Sequence, residues 1–220
     1  MNVVIPLSVV EHMQHSAKVK DIEMGYTFRL DKRIGNDIVL SIDREFSGTS
    51  NSVIIPGLHH LTAHTHTQNI YGTLLYHPPT ANDFKECLFK HFSSGGMWDV
   101  VVDSHGCFAY CPTRELVLEV MQVQPNFREL LLSEHIPDFS KLSNSFLQLI
   151  DVLLTNSDYN GARLAQALCN NELGARVRAP PISLPEYIKV MRDLVGQRNM
   201  GFHIMYFAGA TPINLPTVAT

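Results

Sequence analysis

Two histidines separated by one residue, His64-Thr65-His66, and an aspartate at Asp83 supply three side chains of the kinds that ligate zinc. A zinc site with three protein ligands keeps a fourth position for water, the pattern of a catalytic rather than a structural site. Upstream, Glu23-Met24-Gly25 offers a carboxylate suited to handling that water's proton. If these four residues converge, the chain is a metallohydrolase or descends from one.

The elements around them must bring about that convergence. In a strand, alternate side chains share a face, so His64 and His66 project the same way about 7 Å apart at the backbone, close enough for one ion. The strand expected to carry them runs from about His59 to His66. Pro78-Pro79 stops it, and Thr80 to Phe92 reads as a helix with Phe84, Cys87, Leu88 and His91 on one side. Thr80-Ala81-Asn82-Asp83 is also a capping-box pattern, and a carboxylate at a helix N-terminus can serve both as cap partner and as ligand. Residues 6–18 read as an amphipathic helix with Val9, Val10, Met13 and Ala17 on one face. Met24 to Leu30 and Ile38 to Ile42 read as a hairpin turning through Asp31 to Asp37. A second hairpin, Trp98 to Asp103 and Cys107 to Tyr110, turns at Ser104-His105-Gly106. Strands and helices interleaved in this way, some antiparallel, predict an α/β or α+β chain rather than a doubly wound parallel sheet.

After Pro112 the composition shifts. Arg114–Gln122, Asn126–Leu132, Ser143–Leu154, Tyr159–Cys169 and Pro185–Val195 are helix-like, and Gly201 to Phe207 can form a strand. This gives two expected regions: a metal-binding domain over residues 1–122 and a helix-rich extension over 123–220.

Other groupings are weaker. His105, Cys107 and Cys111 lack a fourth ligand and sit on an apolar strand, where buried thiols are the better reading. His59 and His60 read as surface or supporting residues. There is no phosphate-cradling Gly-rich loop and no Gly-x-Ser-x-Gly elbow. The formal net charge of -4 and the absence of a basic run argue against a nucleic-acid partner. The four cysteines show no secreted-scaffold spacing. With neither a signal-like N-terminus nor an apolar run of membrane-spanning length, the expected setting is cytosol or nucleus, or the inside of an assembly such as a virion.

The order of the pieces resembles the JAB/MPN family, whose zinc-dependent members are the JAMM isopeptidases. The family pattern is a helix, a Glu closely followed by Gly, a hairpin, His-x-His-Pro and Ser-x-x-Asp opening a helix. The matching residues are Glu23, Gly25, His64, His66, Thr80 and Asp83, over residues 6–111. The resemblance implies an MPN-like sheet flanked by helices, Zn²⁺ on His64, His66 and Asp83, Glu23 as general base, and Thr80 as hydrogen-bond donor to the oxyanion. It implies cleavage of amide or isopeptide bonds in ubiquitin-like conjugates. Three departures stand out: Thr67 replaces the family's Pro, Thr80 its Ser, and the segment from Thr67 to Pro79 is longer than the compact pattern. The long gap with Pro-Pro-Thr-x-x-Asp is similar to JAB domains encoded by large DNA viruses. One alternative is a non-catalytic MPN-type scaffold docking into a multiprotein assembly through residues 123–220. Another is a metallohydrolase of small amides using the same triad.

Overall fold

The computed structural model describes residues 1–50, 52–57, 59–67, 79, 81–95, 98–123 and 202–217. Eight strands form one mixed sheet: β1 (Asn2–Ile5), β2 (Met24–Ile34), β3 (Asp37–Ser47), β4 (Leu61–Thr65), β5 (Trp98–Val102), β6 (Gly106–Pro112), β7 (Phe202–Ala208) and β8 (Ile213–Pro216). Their order across the sheet is β7-β6-β5-β4-β2-β3-β1-β8. With three helices among the described residues, α1 (Leu7–Val19), α2 (Ala81–Ser94) and α3 (Arg114–Val123), this is the α+β class that the alternation of elements predicts. The expected helical segments between Asn126 and Val195 lie outside the described residues. Among the described residues, no helix is long and apolar enough to cross a membrane.

The chain divides into two compact units. The first holds β1 to β5, α1 and β8. Pro6 precedes α1, and its carbonyl accepts from the amides of Val9 and Val10. The helix buries Val10, Met13 and Ala17 as its periodicity requires, but also Gln14 and Ser16. β2 and β3 form a longer hairpin than their apolar pattern suggests. The span Asp31 to Asp37, expected as turn, is mostly strand, and only Gly35-Asn36 turns, with Gly35 at φ 58. Arg29 to Ile34 are exposed, so this end of the hairpin has no buried face to impose an apolar alternation. In the second unit, α2 ends at Gly95, whose positive φ and amide bond to the His91 carbonyl form a left-handed cap.

The short C-terminal strands close the first unit. β7 and β8 stand at opposite ends of the strand order, yet only Gly209 to Pro212 separates them in sequence. Four linking residues reach at most ~18 Å, whereas eight strands laid flat would span ~33 Å. The end of β7 and the start of β8 are thus close enough for four residues to join them. α1 packs on β4 and β5, and its Gln14 side chain donates to the Gly209 carbonyl at 3.0 Å. Trp98 on β5 donates from Nε1 to the Pro216 carbonyl on β8 at 3.0 Å. β1 and β8, four residues each, are not apparent from composition; Pro212 just before β8 and Pro216 at its end suit a strand at the sheet's end.

The β5–β6 turn tests this packing. A Cβ on Gly106 would stand 2.6 Å from the Phe207 carbonyl oxygen and 2.7 Å from the Tyr206 hydroxyl. The carbonyl belongs to backbone and cannot swing aside. Gly106→Ala should destabilise the fold by about 1–3 kcal/mol, seen as a lowered urea midpoint with an unchanged slope.

Candidate metal centre

The site face of the sheet follows from register. β2 and β4 are antiparallel with Gly25 opposite His64, Tyr26 opposite Ala63 and Thr27 opposite Thr62. β4 and β5 are parallel, pairing Thr62 with Asp99 and His64 with Val101. Tyr26, Ala63, Val100 and Val102 face α1, and the first three are fully buried along with Val102. Gly25, Thr27, Thr62, His64, Asp99 and Val101 therefore share the opposite face. Continuing the antiparallel register by two residues sets Glu23 level with His66 on that face.

Thr65, the residue between the histidines, turns inward and locks this arrangement. Its Oγ1 accepts the Met24 amide at 2.9 Å, and the His66 amide donates to the Val102 carbonyl at 2.9 Å. Glu23 is tied just before β2: its amide donates to the Thr49 carbonyl at 2.7 Å and its carbonyl accepts from the Gly48 amide at 2.9 Å. It is 9% exposed, buried where sequence alone offers a solvated acidic residue as an equal alternative. Gly25 is also explained, because a Cβ there would meet Ile55 Cγ1 at 2.6 Å and Val53 Cγ2 at 3.0 Å. The Val53–Ile55 segment lies on the site face beside His64 only because residue 25 lacks a side chain.

His64 is half-buried and His66 is 8% exposed. Their Nε2 atoms approach to 3.2 Å. Two imidazole nitrogens this close share either a proton or a cation. For metal–nitrogen bonds of about 2.0–2.1 Å, a tetrahedral edge is ~3.3 Å, so the pair already has the spacing of two ligands. Asp83, in the first turn of α2, completes a group whose ligand atoms all lie within 4.8 Å of one another. His64, His66 and Asp83 can thus hold a metal ion. The helix N-terminus favours the ionised carboxylate.

Thr80 and the segment from residue 68 to 78 lie outside the described residues, so the expected oxyanion contact and the covering role of that segment do too. Thr67 is buried, and its Oγ1 has no hydrogen-bond partner among the described residues. His59 bonds to the Pro56 carbonyl at 3.0 Å, and His60 is exposed. Cys107 and Cys111 are buried free thiols, as their apolar strand implies. Sequence reasoning missed the buried pair Thr62–Asp99, whose side chains hydrogen-bond on the site face. Alternation from His64 back to Thr62 was the available signal.

Comparison of the chain with family models, curated proteins and solved structures gives no match.

Burial governs the titration of the core. It pushes the Cys111 thiol from 9.0 up to about 12 and the Tyr26 phenol from 10.0 up to about 12. Both groups are neutral acids that the fold keeps protonated. Their contribution to stability is complete below their unfolded values and is lost as pH rises through the folded ones. The urea midpoint should fall progressively from about pH 9 towards pH 12, and Tyr26→Phe should flatten that limb. Cys107 and Cys111 should resist alkylation near pH 8 until the chain is unfolded.

Proposed function

We propose that the chain is a zinc-dependent hydrolase of the JAMM kind, cleaving amide or isopeptide bonds, with ubiquitin-like conjugates as the substrate class. The observation that carries this reading is the convergence of the ligand atoms of His64, His66 and Asp83. Glu23 directly precedes β2, where the β2–β4 register, if extended, would set it level with His66. Two imidazoles and one carboxylate suit zinc better than the all-oxygen preferences of calcium or magnesium. When bound, the ion supplies a Lewis acid that polarises a carbonyl and makes water acidic near neutral pH.

The chain's own groups do the rest. His64 and His66 present Nε2 lone pairs, and Asp83 presents a carboxylate oxygen. The Glu23 carboxylate takes a proton from the attacking water and returns it to the nitrogen of the leaving amine as the C–N bond breaks. Its burial would keep bulk water from competing for that proton. Thr80 is assigned to the developing oxyanion, its hydroxyl standing where the family has serine. In the same reading residues 1–122 form the MPN-like catalytic domain, and the helix-rich residues 123–220 form a docking extension.

Metal content and turnover test this separately. The purified chain should hold one zinc per molecule by elemental analysis, and His64→Ala should lose it. Glu23→Gln should retain the zinc while turnover of lysine-linked ubiquitin-like conjugates falls by at least about 100-fold. A wild-type chain that binds no zinc would leave the non-catalytic scaffold. Zinc with turnover of small amides alone would move the substrate class.

A further inference from the structure

The parallel pairing of β4 and β5 brings one more residue to the ligands. The ladder runs without a shift from Leu61–Trp98 to Thr65–Val102. The His66 amide continues it by donating to the Val102 carbonyl at 2.9 Å. One further rung in the same register would align His66 with Asp103, the residues that directly follow β4 and β5, on the site face. Side chains paired on this face reach one another: four residues earlier, in the same register, Thr62 Oγ1 donates to Asp99 Oδ1.

Asp103 is held rigidly. It is 1% exposed, and its Oδ1 accepts the amides of both His105 and Gly106 at 2.7 Å. Those two bonds use one carboxylate oxygen for the β5–β6 turn. On the other strand, His66 directs Nε2 at His64, so Nδ1 is the nitrogen turned away from the ion. Ligating histidines need an acceptor for that second ring N–H, and a carboxylate there also raises the basicity of the ligating nitrogen.

We propose that Asp103 is a positioning residue of the metal centre, its Oδ2 accepting the Nδ1–H of His66 and holding that ring in the tautomer whose Nε2 lone pair faces the ion. In the metal-free chain the same tautomer makes His64 the donor in the Nε2–Nε2 contact. Burial first, and then the neighbouring Asp103 carboxylate, push the Cys107 thiol up. The inference rests on the metal-site reading above, and it adds a carboxylate that no ligand motif contains.

Asp103→Asn separates the two duties of this residue. The amide oxygen can still accept the His105 and Gly106 amides, so the turn keeps its cap. The amide nitrogen is a donor, cannot accept from His66, and favours the Nε2–H tautomer, which is closed to metal. Chelator-competition titration with zinc should show affinity falling about 10- to 100-fold, with the metal-free urea midpoint unchanged. Long-range ¹H–¹⁵N spectra of the metal-free protein should show His66 as the Nδ1–H tautomer in wild type and Nε2–H in the variant. Equal zinc affinity in the two chains, or an Nε2–H His66 in wild type, would overturn the proposal. If Asp103→Asn fails to fold, the wild-type tautomer still decides. A wild type that binds no zinc would instead defeat the reading of the site as a metal centre, whatever the tautomer.

Discussion

β4 is held between an antiparallel neighbour and a parallel one, and a slip of a single residue against either would exchange its two faces. Ala63 and Thr65 would then leave the α1 side, and His64 and His66 would turn into the core. Burial makes that slip costly, because Ala63 is fully enclosed under α1 and histidines would have to replace it there. The Thr65 hydroxyl adds a bond from side chain to the Met24 backbone that exists in only one register. A five-residue strand is short for so much responsibility. It can carry it because every neighbour specifies the same alignment.

The two faces of the sheet have different environments. On one side α1 buries Val10, Met13 and Ala17, while Gln14 bonds to the Gly209 carbonyl and Trp98 to the Pro216 carbonyl. On the other side, a polar row crosses three strands: Thr27, Thr62 and Asp99, all buried. Among the described residues, Thr27 Oγ1 has no hydrogen-bond partner, a loss of about 1–3 kcal/mol for a buried group. Thr62 and Asp99 avoid that cost by bonding to each other.

Much of the site was legible because its signals are local. A His-x-His spacing fixes a shared face wherever a strand forms, and Pro78-Pro79 ahead of a capping pattern announces the helix bearing Asp83. What was illegible is non-local. Glu23 looks like any acidic residue near a helix end until β2 pairs with β4 and the Gly48–Ser52 loop folds over its backbone. Asp99 and Asp103 acquire meaning only through a parallel ladder whose partner strands are more than thirty residues apart. The distal β2–β3 hairpin was mistaken for turn because Arg29, Asp31, Lys32 and Arg33 are solvated on both faces, so no apolar period survives to be read. β1 and β8 are too short to show one.

In the proposed function, holding an ion and moving a proton would depend on different local structures. The histidines are placed by the β4 ladders, through bonds that Thr65 and Val102 make to their neighbours. Glu23 precedes the ladder, and its backbone is clasped by Gly48 and Thr49 instead. Gly48 is obligatory in that clasp, since a Cβ would collide with the Ser52 carbonyl and the Val53 backbone. The loop that fixes Glu23 continues directly into Val53 and Ile55, which rest against Gly25. Changes in the 48–55 segment therefore act on the carboxylate and on the surface beside it while leaving the ligand register intact. Among the described residues, the bonds that align His64 with His66 run through Thr65 and Val102, whereas those that hold the Glu23 backbone run through Gly48 and Thr49.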